Sequence, residues 1–295
     1  MSSPATADEG LTKEGPTKEE PAVEARGAAT VILLRDSASG PEVFMMRRHP
    51  RSDFVGGAYV FPGGRVDPED SDGTDLCFGL DDERASRRLQ LPAGGLAYFV
   101  AAVRECFEEA GVLLAYDSDG EILDLHDPDL AAIAAAGRDK LNQGKLPFLA
   151  FVRERGWRLA TDRMHYWAHW ITPEGQPKRF DTRFFLAVAP ARQTAVHDDH
   201  ELTSSAWVTP REALDKAEKK EWTIIFPTLR NLMTLVDFSS TAEAEDAGRR
   251  RGEVEVQQPR ILRREGGIQA VLPGDPGYES AATPSVSARA GGAER

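Results

Sequence analysis

Only two cysteines, Cys77 and Cys106, occur among 295 residues. That excludes a disulfide framework and a cysteine-based zinc pattern, and it suits a reducing compartment. Positive charge is the scarcer sign: 36 Lys and Arg against 48 Asp and Glu leave a formal net charge of −12. The balance argues against general affinity for a nucleic-acid backbone, although a local basic pocket for a phosphorylated small molecule stays open. No apolar run approaches the roughly 18 residues that a membrane span needs, and no apolar segment opens the chain as a leader would. The expectation is a cytoplasmic protein with neither a membrane nor a nucleic-acid partner. Oligomeric state stays open.

What is present is ample for a core, since 41% of residues are hydrophobic. Residues 1–26 are rich in Ala, Glu, Lys, Pro, Ser and Thr and predict a disordered tail. Gly, Pro, Ala and Ser in residues 263–295 predict a second, mainly disordered one. Between them, residues 27–262 read as one domain. Ala28 to Leu34 and Val43 to Arg48 form a predicted hairpin, and Tyr59-Val60-Phe61 a short strand broken by Pro62-Gly63-Gly64, where the glycines permit positive φ. Residues 71–90, mostly polar, suggest a solvent excursion with a short helix near Asp82 to Leu89. Leu96 to Ala110 reads as a helix whose Phe99, Val103, Phe107 and Ala110 supply a core face. After a strand from Val112, an Ala-rich helix from Asp127 to Asn142 and a shorter one near Leu146 to Arg155 make a candidate lid or substrate wall. Met164 to Trp170, Arg179 to Ala189 and Ser205 to Val208 read as strands. Thr209, Pro210 and Glu212 form a helix-entry signal, and two further helices follow Phe226 and Ser240. The mixture without regular alternation predicts an α+β fold.

The stretch with chemistry in it is Arg104-Glu105-Cys106-Phe107-Glu108-Glu109-Ala110-Gly111-Val112. Residues three and four apart share a helix face, so Glu105 lies beside Glu108 and Glu109. Like charges at that spacing, close to a helix C-terminus, cost about 0.2–0.5 kcal/mol per pair, and a cation would reverse the sign. Hard oxygen ligands suit Mg²⁺ or Mn²⁺. Taken alone, the cluster also reads as a solvated acidic face. In the strand from Arg179, alternation sends Phe180, Thr182 and Phe184 to one side and Asp181, Arg183 and Phe185 to the other. Arg179 or Arg183 can meet a phosphate, and an internal pair with Asp181 is the other reading. His197, Asp199, His200 and Glu201 lack the spacing of a zinc site.

Arg104-Glu105-x-x-Glu108-Glu109-x-Gly111-Val112 resembles the second half of the Nudix box, Arg-Glu-U-x-Glu-Glu-x-Gly-U with U aliphatic, and Gly64 resembles its opening glycine. Cys106 departs from the first U, and Asp70 stands where the box has Glu. Between Asp70 and Arg104 lie 33 residues where the box has seven, an insertion of 26. The likeness, from about Ala28 to about Leu262, is to the Nudix branch with an interrupted box, which includes a mammalian peroxisomal coenzyme A diphosphatase.

That resemblance implies an α/β/α sandwich with a mixed sheet, an insertion inside the box and extra C-terminal helices. It implies metal-dependent hydrolysis of a phosphoanhydride in a small-molecule nucleoside diphosphate linked to another group. Glu105, Glu109 and Glu108 would hold Mg²⁺ or Mn²⁺, Arg104 would orient them, and Glu108 or Glu201 would take the proton. Gly63 and Gly64, with Arg179 and Arg183, would face the substrate. Gly57 to Gly64 reproduces the end of an upstream motif common in coenzyme A-cleaving Nudix enzymes, but Asp53 occupies its Arg position. Coenzyme A or an acyl-CoA is therefore the substrate favoured by the interrupted box, with ADP-ribose, NADH or a nucleotide sugar as alternatives. The rival of another class is a nucleotide-sensing Nudix-like module, which needs no metal carboxylates.

Overall fold

The computed structural model describes residues 23–52, 55–198, 202–264 and 267–281. Its centre is β1 (Arg26–Ser37), paired antiparallel with β2 (Gly40–Arg48) as the predicted hairpin. Next come β3 (Tyr59–Val60) and β4 (Gly63–Arg65), a 3-10 helix over Pro68–Leu76, α1 (Asp82–Leu89) and α2 (Gly95–Ala110). A small two-stranded sheet of β5 (Ala115–Tyr116) and β6 (Arg158–Leu159) brackets α3 (Pro128–Asn142) and α4 (Phe148–Glu154). The main sheet resumes with β7 (His165–Ile171), β8 (Phe180–Val188) and β9 (Leu202–Val208). The chain then runs through α5 (Pro210–Glu218), α6 (Phe226–Met233), α7 (Thr241–Arg250), β10 (Val256–Gln257), β11 (Arg260–Arg264) and β12 (Gly267–Val271).

Strand order across the main sheet is β10-β7-β8-β1-β2-β3, with β4 also on β1 and β9 also on β2. The β1–β8 and β10–β7 pairs are parallel and the others antiparallel, so the sheet is mixed. Period-2 alternation divides the core. Ala29, Val31 and Leu33 of β1 pack with Phe99, Val103 and Phe107 of α2, while Ile32 and Leu34 face Trp167, Leu232 and Ala244 on the other side. The result is helix, sheet, helix. The Thr209 capping box starts α5 as its residues predict. No helix among the described residues is long and apolar enough to cross a membrane.

Several expectations are corrected. Residues 71–90 are not a solvent excursion: Leu76, Cys77, Leu80, Ala85 and Leu89 are buried in the same cluster as α2. Their apolar spacing was masked by the charged face of α1. The strand from Val112 is regular only at Ala115 and Tyr116, because the Gln193 side chain substitutes for a neighbouring strand. Gln193 accepts from the Leu113 N–H at 2.9 Å and donates to the Leu113 carbonyl at 3.0 Å. The β11–β12 hairpin lies partly in the stretch whose composition predicts a disordered tail; Val271 and Leu272 are buried. Gly63 and Gly64 do not have positive φ and lie in a strand. Their reason is close approach: a Cβ on Gly63 would meet the Ala29 carbonyl at 2.5 Å, and one on Gly64 the Glu105 carboxylate at 2.4 Å.

Candidate active site

Helix α2 buries Phe99, Val103, Phe107 and Ala110 as its spacing predicts, which leaves Glu105, Glu108 and Glu109 toward β4. Both of its ends are held from outside. At the N-terminus, Gly94 has no side chain to cap with, and the insertion supplies the cap. Asp82 of α1 accepts from the N–H groups of Gly94 and Leu96 at 3.0 and 2.9 Å, and Ser86 accepts from Gly95 at 2.9 Å. Those N–H groups hold the Asp82 carboxyl below its usual range, the Leu96 bond first. At the C-terminus, Gly111 takes the left-handed φ of 68°. There Arg138 of α3 donates to the carbonyls of Glu108, Glu109 and Val196 at 2.9, 2.8 and 2.9 Å. A cation among the last carbonyls of a helix also complements its dipole. Sequence reading missed Arg138; α3 buttresses α2 and supplies no residue to the cleft wall described below.

Strand β4 closes on the acidic face. The Gly63 N–H donates to Glu109 Oε2 at 2.7 Å, and Gly64 lies against Glu105. Arg104, 9% exposed, joins the two halves of the box across the insertion. Its Nε and NH2 donate to the two oxygens of Asp70 at 2.9 and 3.0 Å, NH2 also to the Arg65 carbonyl at 2.9 Å. NH1 reaches Glu105 Oε1 at 2.8 Å and Glu108 Oε2 at 3.2 Å. Asp70 thus does from a position one methylene shorter what a fork-to-fork partner requires. It is itself set by accepting the Asp67 N–H at 2.8 Å.

Burial dominates the electrostatics. It acts to lower the Arg104 pKa, but Asp70, Glu105 and Glu108 outweigh it and hold the guanidinium above its ordinary value. Burial pushes Glu105 up to about 7 and raises Glu108, with Arg104 offsetting only part of the shift in each. Carboxylates that are desolvated yet remain near one another favour a bound cation. Among the described residues no three His, Cys, Asp or Glu side chains are already drawn into a metal-holding cluster. The donors nonetheless fit a hard divalent ion: all are carboxylate oxygens, and Glu105 and Glu108 pair with Arg104 through one oxygen each.

The three carboxylates and Arg104 line a cleft of about 700 Å³ whose floor is the main sheet. Register places Arg65, Ala28, Thr182 and Trp170 side by side across β4, β1, β8 and β7. Three strand spacings of about 4.8 Å set Trp170 roughly 14 Å from Arg65. Arg48, Arg65, Asp67 and α2 give the cleft one charged end; Trp170, Phe180, Phe184, Ile225 and Phe226 give it an apolar one.

Gly63 and Gly64 line this cleft, but Arg183 and Arg179 do not. On β8 it is Phe180, Thr182 and Phe184 that face the cleft. Arg183, 3% exposed, points to the opposite face, where it pairs with Asp181 at 3.2 Å and lies 4.3 Å over the Tyr98 ring. Arg179 is engaged by the carbonyls of Thr172 and Val23 at 3.1 and 2.7 Å. Among the described residues, Arg48 and Arg65 join Arg104 as the basic residues in the wall instead. Glu201 lies outside the described residues.

The NUDT19 Nudix domain family matches residues 73–235. The chain belongs to this Nudix family. It is a Nudix-type pyrophosphohydrolase, and Nudix hydrolases generally use divalent metal ions. Similar proteins include an acyl-coenzyme A diphosphatase NUDT19 from Xenopus laevis, 28% identical over 83% of this chain and 73% of its own length. The Homo sapiens protein of that name is 29% identical over 82% and 73%. Among solved structures, a Nudix hydrolase from Alicyclobacillus acidocaldarius superposes with a TM-score of 0.61 at 29% identity, over 76% of this chain and 96% of that one.

Proposed function

We propose that this enzyme hydrolyses the diphosphate of coenzyme A or an acyl-CoA to two phosphate monoesters. The observation that carries the reading is the cleft itself, with carboxylates beside Gly63 and Gly64 at one end and an aromatic, uncharged wall about 14 Å away. A diphosphate at the charged end leaves a long substituent to lie along Thr182 toward Trp170. The names of the NUDT19 relatives point the same way.

In this reading Glu105, Glu108 and Glu109 hold Mg²⁺ or Mn²⁺. When bound, the ion neutralises charge on the phosphoryl oxygens and lowers the pKa of water. The chain does the rest. Arg104 fixes Glu105 and Glu108 from one side while Asp70 anchors Arg104 from the other. Arg48 and Arg65 offer guanidinium groups to the phosphates. Glu108, its side chain 24% exposed against 13% for Glu105, is the more open to water of the two. It accepts the proton of the attacking water as one phosphorus–oxygen bond forms and the bridging one breaks.

The test is turnover of a panel comprising coenzyme A, acyl-CoAs, ADP-ribose, NADH and a nucleotide sugar with Mg²⁺ or Mn²⁺, products resolved by mass. The expected result is cleavage of the coenzyme A diphosphate, lost in Glu109→Gln while the fold is kept. Preference for ADP-ribose or NADH would overturn the substrate, and metal-independent turnover the mechanism.

A further inference from the structure

The family match ends at residue 235, but the chain beyond it returns to the cleft. Strand β10 extends the sheet past β7, pairing Gln257 with Trp170, and Pro259 and Ala270 then line the apolar end. The segment is fixed on both sides of this contact. Before it stands the β10 ladder; after it Val271 and Leu272 are buried, Leu272 among the same residues as Trp170 and Phe184. Ala270 itself is exposed, so its methyl faces open space in the cleft.

Among the described residues, every charged side chain in the cleft wall comes from β2, from β4 and the turn after it, or from α2. None comes from β7, β8, α6 or the C-terminal segment. The aromatic rings there are set edge to face, Trp170 against Phe226 at 5.8 Å and 87°. The polar side chains of this wall are the hydroxyls of Thr172, Thr182 and Thr228 and the Trp170 indole N–H, with no charge among them, so this end suits an uncharged, largely apolar group.

We infer that Pro259 and Ala270 form the end wall of a hydrocarbon-binding subsite, and that this C-terminal segment sets how long an apolar group the enzyme accepts. The inference rests on the acyl-CoA reading above. It adds a determinant outside the matched region.

The experiment compares wild type, Ala270→Trp and Ala270→Gln on coenzyme A and acyl-CoAs of increasing chain length. Each protein is assayed for kcat/KM and, with a chelator present, for calorimetric binding. In Ala270→Trp the long-chain to free coenzyme A ratio should fall by about tenfold or more, as excluding a methylene or two from an apolar pocket does. Ala270→Gln, which adds a polar group at an exposed site, should lower the ratio in the same direction. Unchanged ratios in folded variants would overturn the subsite while leaving the coenzyme A reading intact. A wild-type chain that neither cleaves nor binds any of the series would overturn both. Length-dependent binding altered by Ala270→Trp, without turnover, would keep the subsite and remove the proposed reaction.

Discussion

Asp70→Ala removes the anchor through which the two halves of the interrupted box meet. Asp70 is 2% exposed and takes both Nε and NH2 of Arg104 at 2.9 and 3.0 Å. Taking one partner from a buried pair costs about 3–5 kcal/mol because the remaining charge is desolvated and uncompensated. Here Arg104 keeps Glu105 and Glu108, which places the loss near the lower end, and the Asp67 N–H loses an acceptor worth about 1 kcal/mol. A total of about 4 kcal/mol, at about 2–4 °C per kcal/mol for a domain near this size, lowers Tm by about 8–16 °C. Calorimetry with denaturant unfolding reads this directly. Asp70→Asn should recover little, since its amide offers one acceptor where the guanidinium presents two donors. Asp70→Glu should recover most of the loss, as it keeps the charge. A Tm for Asp70→Ala within about 2 °C of wild type would refute the claim that this pair carries the joint.

The other predictions concern what surrounds that joint. Leu89→Ala should cost about 2–5 kcal/mol, as a fully buried leucine does, and replacing residues 71–90 by a Gly/Ser linker should abolish cooperative unfolding. Arg138→Ala should lower kcat or metal affinity about 10–100-fold with KM changed less, and Arg138→Lys should not restore it, because one ammonium cannot span three carbonyls. For pH, the native Glu105 carboxyl binds its proton more tightly than the unfolded chain does. Without metal, stability should therefore fall as pH rises from about 4.5 to about 7, followed by thermal melts. Divalent metal at about 100 times its dissociation constant should add about 2.7 kcal/mol at neutral pH, and a chelator should remove it.

The helix that carries the three carboxylates was legible because its signal is strictly local. Phe99, Val103, Phe107 and Ala110 sit at helical spacing, and Gly111 closes the helix where a left-handed residue is needed. The wall of the cleft was not. Alternation along β8 separates Thr182 from Arg183, but only the neighbours of β8 decide which set faces the cleft, and Tyr98 of α2 claims the arginine. Arg138 was invisible for a related reason. Its partners are backbone carbonyls, which leave no trace in the identity of the residues that carry them.

The insertion was misread as solvent-exposed because Asp81, Asp82, Glu83, Arg84, Arg87 and Arg88 dominate its composition, while its buried residues are few. Ala85 and Leu89, four apart on α1, are the trace of a buried face. That burial explains how a box can be interrupted and still work. A flexible loop of this length would close Asp70 onto Arg104 at an entropic cost and leave the N-terminus of α2 uncapped. The folded insertion does neither: its leucines pack on the helix, Asp82 and Ser86 satisfy the first N–H groups of α2, and the segment ends where the helix must begin. Residues distant in sequence are then presented to each other by rigid elements, so that Gly64 lies against Glu105 and Asp70 pairs with Arg104. Sensitivity of the active site to substitutions inside the insertion, at residues that never touch the cleft, follows from that arrangement.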